Sequence, residues 1–261
     1  MHAAEHAIEI KDVSIGYKSR GAEHLVAHSI NATLHRGEVV ALIGCNGAGK
    51  STLLRALGGY EKPLKGAILY NGTAACDVTS AQLARLIAVV LTDNSVAAAL
   101  TVRELVSLGR TPYTNFTGHL RVGDNAVVDW AINAVGVGPL AHRAVGTLSD
   151  GERQKCMIAK ALAQETPVVM LDEPTAFLDF GSKVALFRLL QRLAREMNKA
   201  VIVSTHDIEL ALRLTHRLWL INDGTLHCGT ADELSAAGVL GAFIAGDGIA
   251  YNREEKKIEI I

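Results

Sequence analysis

Five apolar residues in a row, Val39, Val40, Ala41, Leu42 and Ile43, run straight into Gly44-Cys45-Asn46-Gly47-Ala48-Gly49-Lys50-Ser51-Thr52. A short, continuous, β-branched run offers solvent no polar face, so it predicts a strand covered on both sides, as in a parallel sheet. The segment after it fits G-x-x-x-x-G-K-[ST], and residues 53–57 have helical character. The chain therefore passes from buried strand through glycine loop into helix. Glycines let backbone close around a phosphate, and a new helix aims free N–H groups at it. Residues Asn46, Gly47, Ala48, Gly49, Lys50, Ser51 and Thr52 form the predicted cradle. Lys50 is placed to reach the β- and γ-phosphates, and the Ser51 hydroxyl to ligate Mg²⁺.

Further runs of the same kind occupy residues 168–171 and 200–203, and between them Leu186, Leu189, Leu190, Leu193 and Met197 keep helical spacing. Strand–helix–strand alternation of this kind predicts an α/β fold. Before the loop, Ile8, Ile10, Val13 and Ile15 alternate with polar residues in a strand pattern that ends at Gly16, and residues 25–28 and 67–70 are further short strands, the last closed by an Asn71-Gly72 turn. Residues 81–146 differ. Helical patterns dominate, with Thr101 placed to cap 102–108 and Asp124 to open a helix through Trp130 to Val135, and no central strand is expected. This predicts a helical insertion, approximately residues 81–150, in a single domain. Trp219–Ile221, Asp223-Gly224 and Leu226–His227 form a predicted hairpin.

Composition removes several function classes. The formal net charge is −1 at pH 7, with no basic stripe, which argues against nucleic acid as a partner. Four cysteines, Cys45, Cys76, Cys156 and Cys228, lie far apart without metal or disulfide spacing, as reduced thiols of a cytosolic protein do. The first residues have no apolar run, and no stretch approaches the roughly 20 apolar residues that cross a bilayer. If the chain drives transport, another chain supplies the channel.

A second chemical element closes the run Val168–Leu171. Asp172 leaves a buried strand, where a carboxylate can hold Mg²⁺ through water, and Glu173 is placed to orient or deprotonate the attacking water. The third element, Leu148-Ser149-Asp150-Gly151-Glu152, reads bottom-up as a helix start: Ser149 the N-cap, Glu152 at the capping-box position, and a helix running to Ala163. In sequence it also resembles the ABC signature, whose usual form has glycine where Asp150 stands and often glutamine where Glu152 stands. With the phosphate loop, Asp172-Glu173, Asp179 and His206 in the same order, the chain resembles ABC ATPases over essentially its whole length.

The resemblance implies a P-loop NTPase (RecA-like) core with an N-terminal antiparallel β subdomain and an inserted α-helical subdomain. It also implies ATP and Mg²⁺ as cofactors, and a head-to-tail dimer in which Ser149–Gly151 of one copy meet the γ-phosphate bound by the other. His206 matches the switch histidine of the γ-phosphate, Asp179 the loop that speaks across the dimer, and Tyr17 the aromatic that stacks on adenine. Where the family usually has a Mg²⁺-touching glutamine, alignment places Thr92, and neighbouring Asp93 or Asn94 can substitute.

Residues 102–113, ending in Gly109-Arg110-Thr111-Pro112-Tyr113, and Ala161-Leu162-Ala163-Gln164 resemble ATPases that serve iron-siderophore, haem and cobalamin importers. That resemblance implies permease subunits, an external binding protein acting through them, and a cytoplasmic place on the inner face of the membrane. A soluble ABC ATPase of iron–sulfur cluster assembly is the alternative, distinguished by soluble rather than membrane partners.

Overall fold

Two long strands open the computed structural model, which describes residues 6–19, 22–91, 98–114, 119–245, 249–252, 255 and 257–260. β1 (His6–Ser19) and β2 (Ala22–His35) run antiparallel; the chain then passes through β3 (Val39–Gly44) and α1 (Lys50–Leu57) and returns in β4 (Lys65–Tyr70) and β5 (Thr73–Ala74). The result is an antiparallel sheet of order β2-β1-β4-β5. β4 and β5 are joined at Asn71 and Gly72, both at positive φ (49° and 81°), the conformation a two-residue turn of matching twist requires. β1 does not end at Gly16 as the sequence pattern predicts. Its chain crosses β2 so closely there that an added Cβ would lie 2.0 Å from the His24 carbonyl oxygen, so the glycine marks a close approach inside the strand.

After α2 (Ser80–Leu86) come β6 (Ile87–Val90), α3 (Val102–Ser107), a 3-10 turn (Leu108–Tyr113), α4 (Val122–Ala134), α5 (Asp150–Ala163) and β7 (Val168–Leu171). The chain continues through α6 (Phe180–Met197), β8 (Ala200–Ser204), α7 (Ile208–Leu214), β9 (Arg217–Asn222) and β10 (Thr225–Gly229). It closes with α8 (Ala231–Ala236), α9 (Val239–Ile244) and a small hairpin of β11 (Ile249–Asn252) and β12 (Lys257–Ile260). β6 corrects the expectation that residues 81–146 hold no central strand. Its four residues pair parallel with β7 at the sheet edge, and Leu83 and Leu86 of α2 run the apolar pattern into the strand without a break, which hides its start.

The larger sheet has order β10-β9-β3-β8-β7-β6, with all neighbours parallel except β9 and β10. Period two explains its burial on both faces. Val39, Ala41 and Ile43 join Val201, Val203 and Leu171 in one core against α5 and α6, while Val40 and Leu42 join Ile202 and Met170 in the other. That second core is completed by Leu53, Leu54 and Leu57 of α1 and by Ile8, Ile15 and Ile30 from the antiparallel sheet. The order β3-β8-β7 sets three C-terminal strand ends side by side, the edge of an open parallel sheet where ligands bind.

Candidate functional site

The loop leaving β3 is shaped by its glycines. Gly47 and Gly49 hold φ of +79° and +104°, and an added Cβ on Gly49 would lie 2.4 Å from Val26 of β2, so the antiparallel sheet abuts the loop. α1 starts at Lys50 with no side-chain cap and no acidic residue in its first turn. The Lys50 side chain folds back under the loop, donating to the carbonyls of Gly44 at 2.8 Å and Cys45 at 3.2 Å. Burial lowers its ammonium pKa, and the negative charges of Glu173 and Asp172 oppose that shift. Ser51 is exposed at the mouth of the loop, with Thr52 partly covered behind it.

Asp172 and Glu173 emerge from β7 beside this loop. Asp172 is buried, its backbone N–H on the Val90 carbonyl, and it accepts the Ser204 hydroxyl at 2.6 Å. The same hydroxyl oxygen accepts the Glu173 backbone N–H at 2.8 Å. One serine at the end of β8 thus fixes both carboxylate-bearing residues. Glu173 itself holds φ of 48°, rare for a long side chain and the kind of strain that collects at functional sites. Its carboxylate lies 2.6 Å from His206 Nε2, so β7 and β8 bring the expected base and the expected switch histidine into direct contact. Nothing in the sequence pattern named Ser204. The available signal was a small polar residue ending an otherwise apolar buried strand.

The other predicted residues stand elsewhere. Ser149 caps α5 in a reciprocal box with Glu152, its hydroxyl accepting the Glu152 N–H at 3.3 Å and its own N–H reaching the Glu152 carboxylate at 2.9 Å. Asp150 pairs with Arg153 along the helix. Gly151 lets this end approach the segment before α6: an added Cβ would sit 3.0 Å from the Phe177 carbonyl oxygen. Asp179 caps α6, accepting from the Ser182 N–H at 2.9 Å and hydroxyl at 2.8 Å, and these bonds hold its carboxyl below the usual range. Ser149, Gly151, Lys155, Phe177 and Asp179 line an open cleft of about 450 Å³. Phe177 and Lys155 were not singled out by sequence. Tyr17 is exposed on β1 with its ring stacked on His24, centroids 5.4 Å apart. Thr92 and its neighbours Asp93 and Asn94 lie outside the described residues.

A phosphate loop on a parallel-sheet edge, with an Asp-Glu pair two strands away and a histidine just past the end of the strand between, is the arrangement of a nucleotide-hydrolysing cassette. Residues 27–176 match the family described as ABC transporter. The chain belongs to the ABC transporter ATP-binding family. This ABC ATPase is 38% identical to the achromobactin transport ATP-binding protein of Dickeya dadantii over 84% of this chain and 80% of that one. It is 33% identical to the iron(3+)-hydroxamate import ATP-binding protein of Bacillus subtilis, over 90% and 86% of the two chains. Among solved structures, it superposes with TM-score 0.79 on an inward-facing ABC transporter described as of the metal-chelate type, at 26% identity over 98% of this chain and 97% of that one. A dimeric post-hydrolysis ABC cassette bound to ADP and Pi gives TM-score 0.76 at 26% identity over 85% and 98%. The cassette is an ATPase by family. No described helix is long and apolar enough to cross a membrane.

Proposed function

We propose that this ATPase powers import of a metal chelate of the iron-siderophore, haem or cobalamin type through a separate membrane permease. The reading is carried by similarity along nearly the whole chain: relatives named for achromobactin transport and iron(3+)-hydroxamate import, and a structural neighbour of metal-chelate type that matches almost end to end. In this reading the chain is a single ATPase domain whose helical insertion is the run of helices after β6, up to about residue 150. It works as a dimer on the cytoplasmic face of the membrane, with an external binding protein delivering the chelate to the permease.

The catalytic roles proposed here are those the family resemblance implies, and the placement of the residues supports them. Lys50 leaves the Gly44 and Cys45 carbonyls to reach the nucleotide phosphates, and the loop N–H groups with Asn46, Ala48 and Thr52 surround them. Tyr17 offers the free face of its ring to adenine. Glu173 orients and deprotonates the attacking water once His206 releases it for the γ-phosphate, and Ser149 and Gly151 of the second copy close on that phosphate, with Asp179 at the junction of the copies. The donor set of Ser51 and Asp172 is all oxygen, which suits Mg²⁺. Among the described residues no three or more His, Cys, Asp or Glu converge as a metal site, so Ser51 and Asp172 are the protein groups offered to the ion. Ser51 and Asp172 would hold Mg²⁺, which would supply neutralisation of the charge that develops on the phosphates.

Reconstitution with the permease chains that copurify with the protein tests the reading. ATP turnover in vesicles is scored with siderophore, haem and cobalamin, each with its binding protein. Stimulation by one class identifies the cargo. Copurification of soluble scaffold proteins and no membrane chain would replace import with iron–sulfur cluster assembly.

A further inference from the structure

The two stretches that mark the importer resemblance, residues 102–113 and 161–164, contribute no group to the chemistry above, yet the fold docks one on the other. Arg110 lies in the 3-10 turn after α3 with 7% of its side chain exposed. Its Nε donates to Asp124 Oδ1 at 2.9 Å, and its Nη1 donates to the Ala163 carbonyl at 2.8 Å and to Glu165 Oε2 at 2.7 Å. The guanidinium also covers the Tyr113 ring, 4.3 Å from its centroid. Gly109 is seated so tightly that an added Cβ would lie 2.3 Å from the Lys160 carbonyl oxygen. From the other side, Gln164 Nε2 donates to the carbonyls of Ala84 at 2.6 Å and Ile87 at 3.0 Å. The last turn of α5 is therefore gripped by the helical insertion on one flank and by α2 and β6 on the other.

That same turn walls a groove of about 380 Å³. Lys160, Ala161 and Gln164 face Ser80 and Ala84 of α2, with the exposed ring of Tyr60 at the rim. The opposite end of α5 is Ser149. We infer that Arg110 is a positioning residue that couples this groove to the Ser149 end of α5. An element seated in the groove shifts the last helical turn, and the Arg110 junction makes the helix move as one body with the insertion instead of slipping against it. The occupant, a cytoplasmic segment of the permease, rests on the import reading; the coupling does not. The junction is poised for this because a buried guanidinium is held only while all its partners are in place. Lysine cannot replace it: a point charge cannot meet Asp124, the Ala163 carbonyl and Glu165 in one fixed fork and cover Tyr113 as well.

Energetic coupling is the content of the proposal, so a double-mutant cycle on the isolated chain tests it. Ser80→Trp sets an indole in the groove in place of a partner. It is expected to change steady-state ATP turnover roughly threefold or more, the scale of 0.5–2 kcal/mol couplings. Arg110→Lys alone is expected to stay within about twofold of wild type, and in that background Ser80→Trp is expected to change turnover less than about 1.5-fold. A silent Ser80→Trp, or the same effect in both backgrounds, overturns the inference. A purely structural Arg110 lowers Tm and leaves the two substitutions additive, which also overturns it. If Arg110→Lys does not fold, Glu165→Gln, at a side chain 44% exposed, takes its place in the cycle with the same criteria. No membrane chain enters the assay, so a failure of permease stimulation strikes the import reading and leaves this result standing.

Discussion

Two helices carry the phosphate-facing roles proposed for this ATPase, and their N-termini are finished in opposite ways. α1 begins after a left-handed glycine with no side-chain cap and no acidic residue in its first turn, so its N–H groups are open to an anion. α5 begins under a complete capping box and carries Asp150 and Glu152 in its first turn. Hydrogen bonds from the Ser149 N–H and hydroxyl hold the Glu152 carboxyl below its usual range, so it is charged at neutral pH. A phosphate arriving at α5 therefore meets a negative first turn in which the Ser149 and Glu152 N–H groups are already bonded, and caps of this kind are worth about 0.5–2 kcal/mol. The contrast implies an order: one chain captures nucleotide with α1 alone, and α5 of the second copy joins only when closure repays the disturbance of its cap.

The largest test captures the state in which both ends are engaged. Glu173→Gln keeps shape and removes the base, so ATP turnover is expected to fall by about 10²–10⁴ while an ATP-bound dimer accumulates on a sizing column. Near-normal turnover removes Glu173 from the mechanism. Next comes the open end. Gly49→Ala forces a side chain into φ of +104° and against Val26, and ATP affinity measured by titration is expected to drop roughly 10–100-fold, the scale of 1–3 kcal/mol of backbone strain. Gly151→Ala, at the closed end, is expected to leave the isolated chain's ATP affinity unchanged and to weaken only the ATP-dependent dimer. If both glycines fail in the same way, the two ends are not distinct.

A finer test alters the charge of the cap alone. Glu152→Gln keeps an acceptor for the Ser149 N–H and removes a negative charge near the incoming phosphate. The ATP-dependent dimer is expected to tighten about 2–5-fold in sedimentation, as 0.3–1 kcal/mol at a helix terminus allows. A weaker dimer would mean the carboxylate helps closure, and the contrast between the ends breaks. The smallest effect is chemical. Alkylation of the folded chain is expected to modify exposed Cys45 and Cys76 and to spare Cys156 and Cys228, whose thiols burial pushes up to about 11 and about 12. ATP with Mg²⁺ should shield Cys45, in the open loop, and leave Cys76 reactive; peptide mapping reads both.

Much of this was legible because local physics decided it. The capping box of α5 and its end at Ala163, the β3–loop–α1 transition and β7 followed from turn chemistry and apolar runs that no distant contact overrides. Where distant contacts decide, the pattern misled. β6 is a strand only because β7 offers it a parallel edge, and its neighbours' leucines extend the helical pattern into it. Gly16 signalled an end where the real constraint is the backbone of β2 crossing it. Ser204 matters through Asp172 and Glu173, which lie more than thirty positions earlier in the chain, so no window of sequence around it shows the role. Arg110 and Ala163 were each visible as parts of motifs; that they bond to each other belongs to the fold.

α5 also sets a length scale. Its 14 residues make a rod of about 21 Å at 1.5 Å per residue, with the Arg110 junction at one tip and Ser149 at the other. A rod pivoting at its gripped tip magnifies rotation into travel: a tilt of about 5° moves the far tip by about 2 Å, well beyond the ~0.5 Å window in which a hydrogen bond to phosphate is made or lost. In the proposed dimer, a tilt of that size would bring Ser149 in or out of reach of the phosphate, and the helix would turn an analogue displacement at one end into a yes-or-no contact at the other.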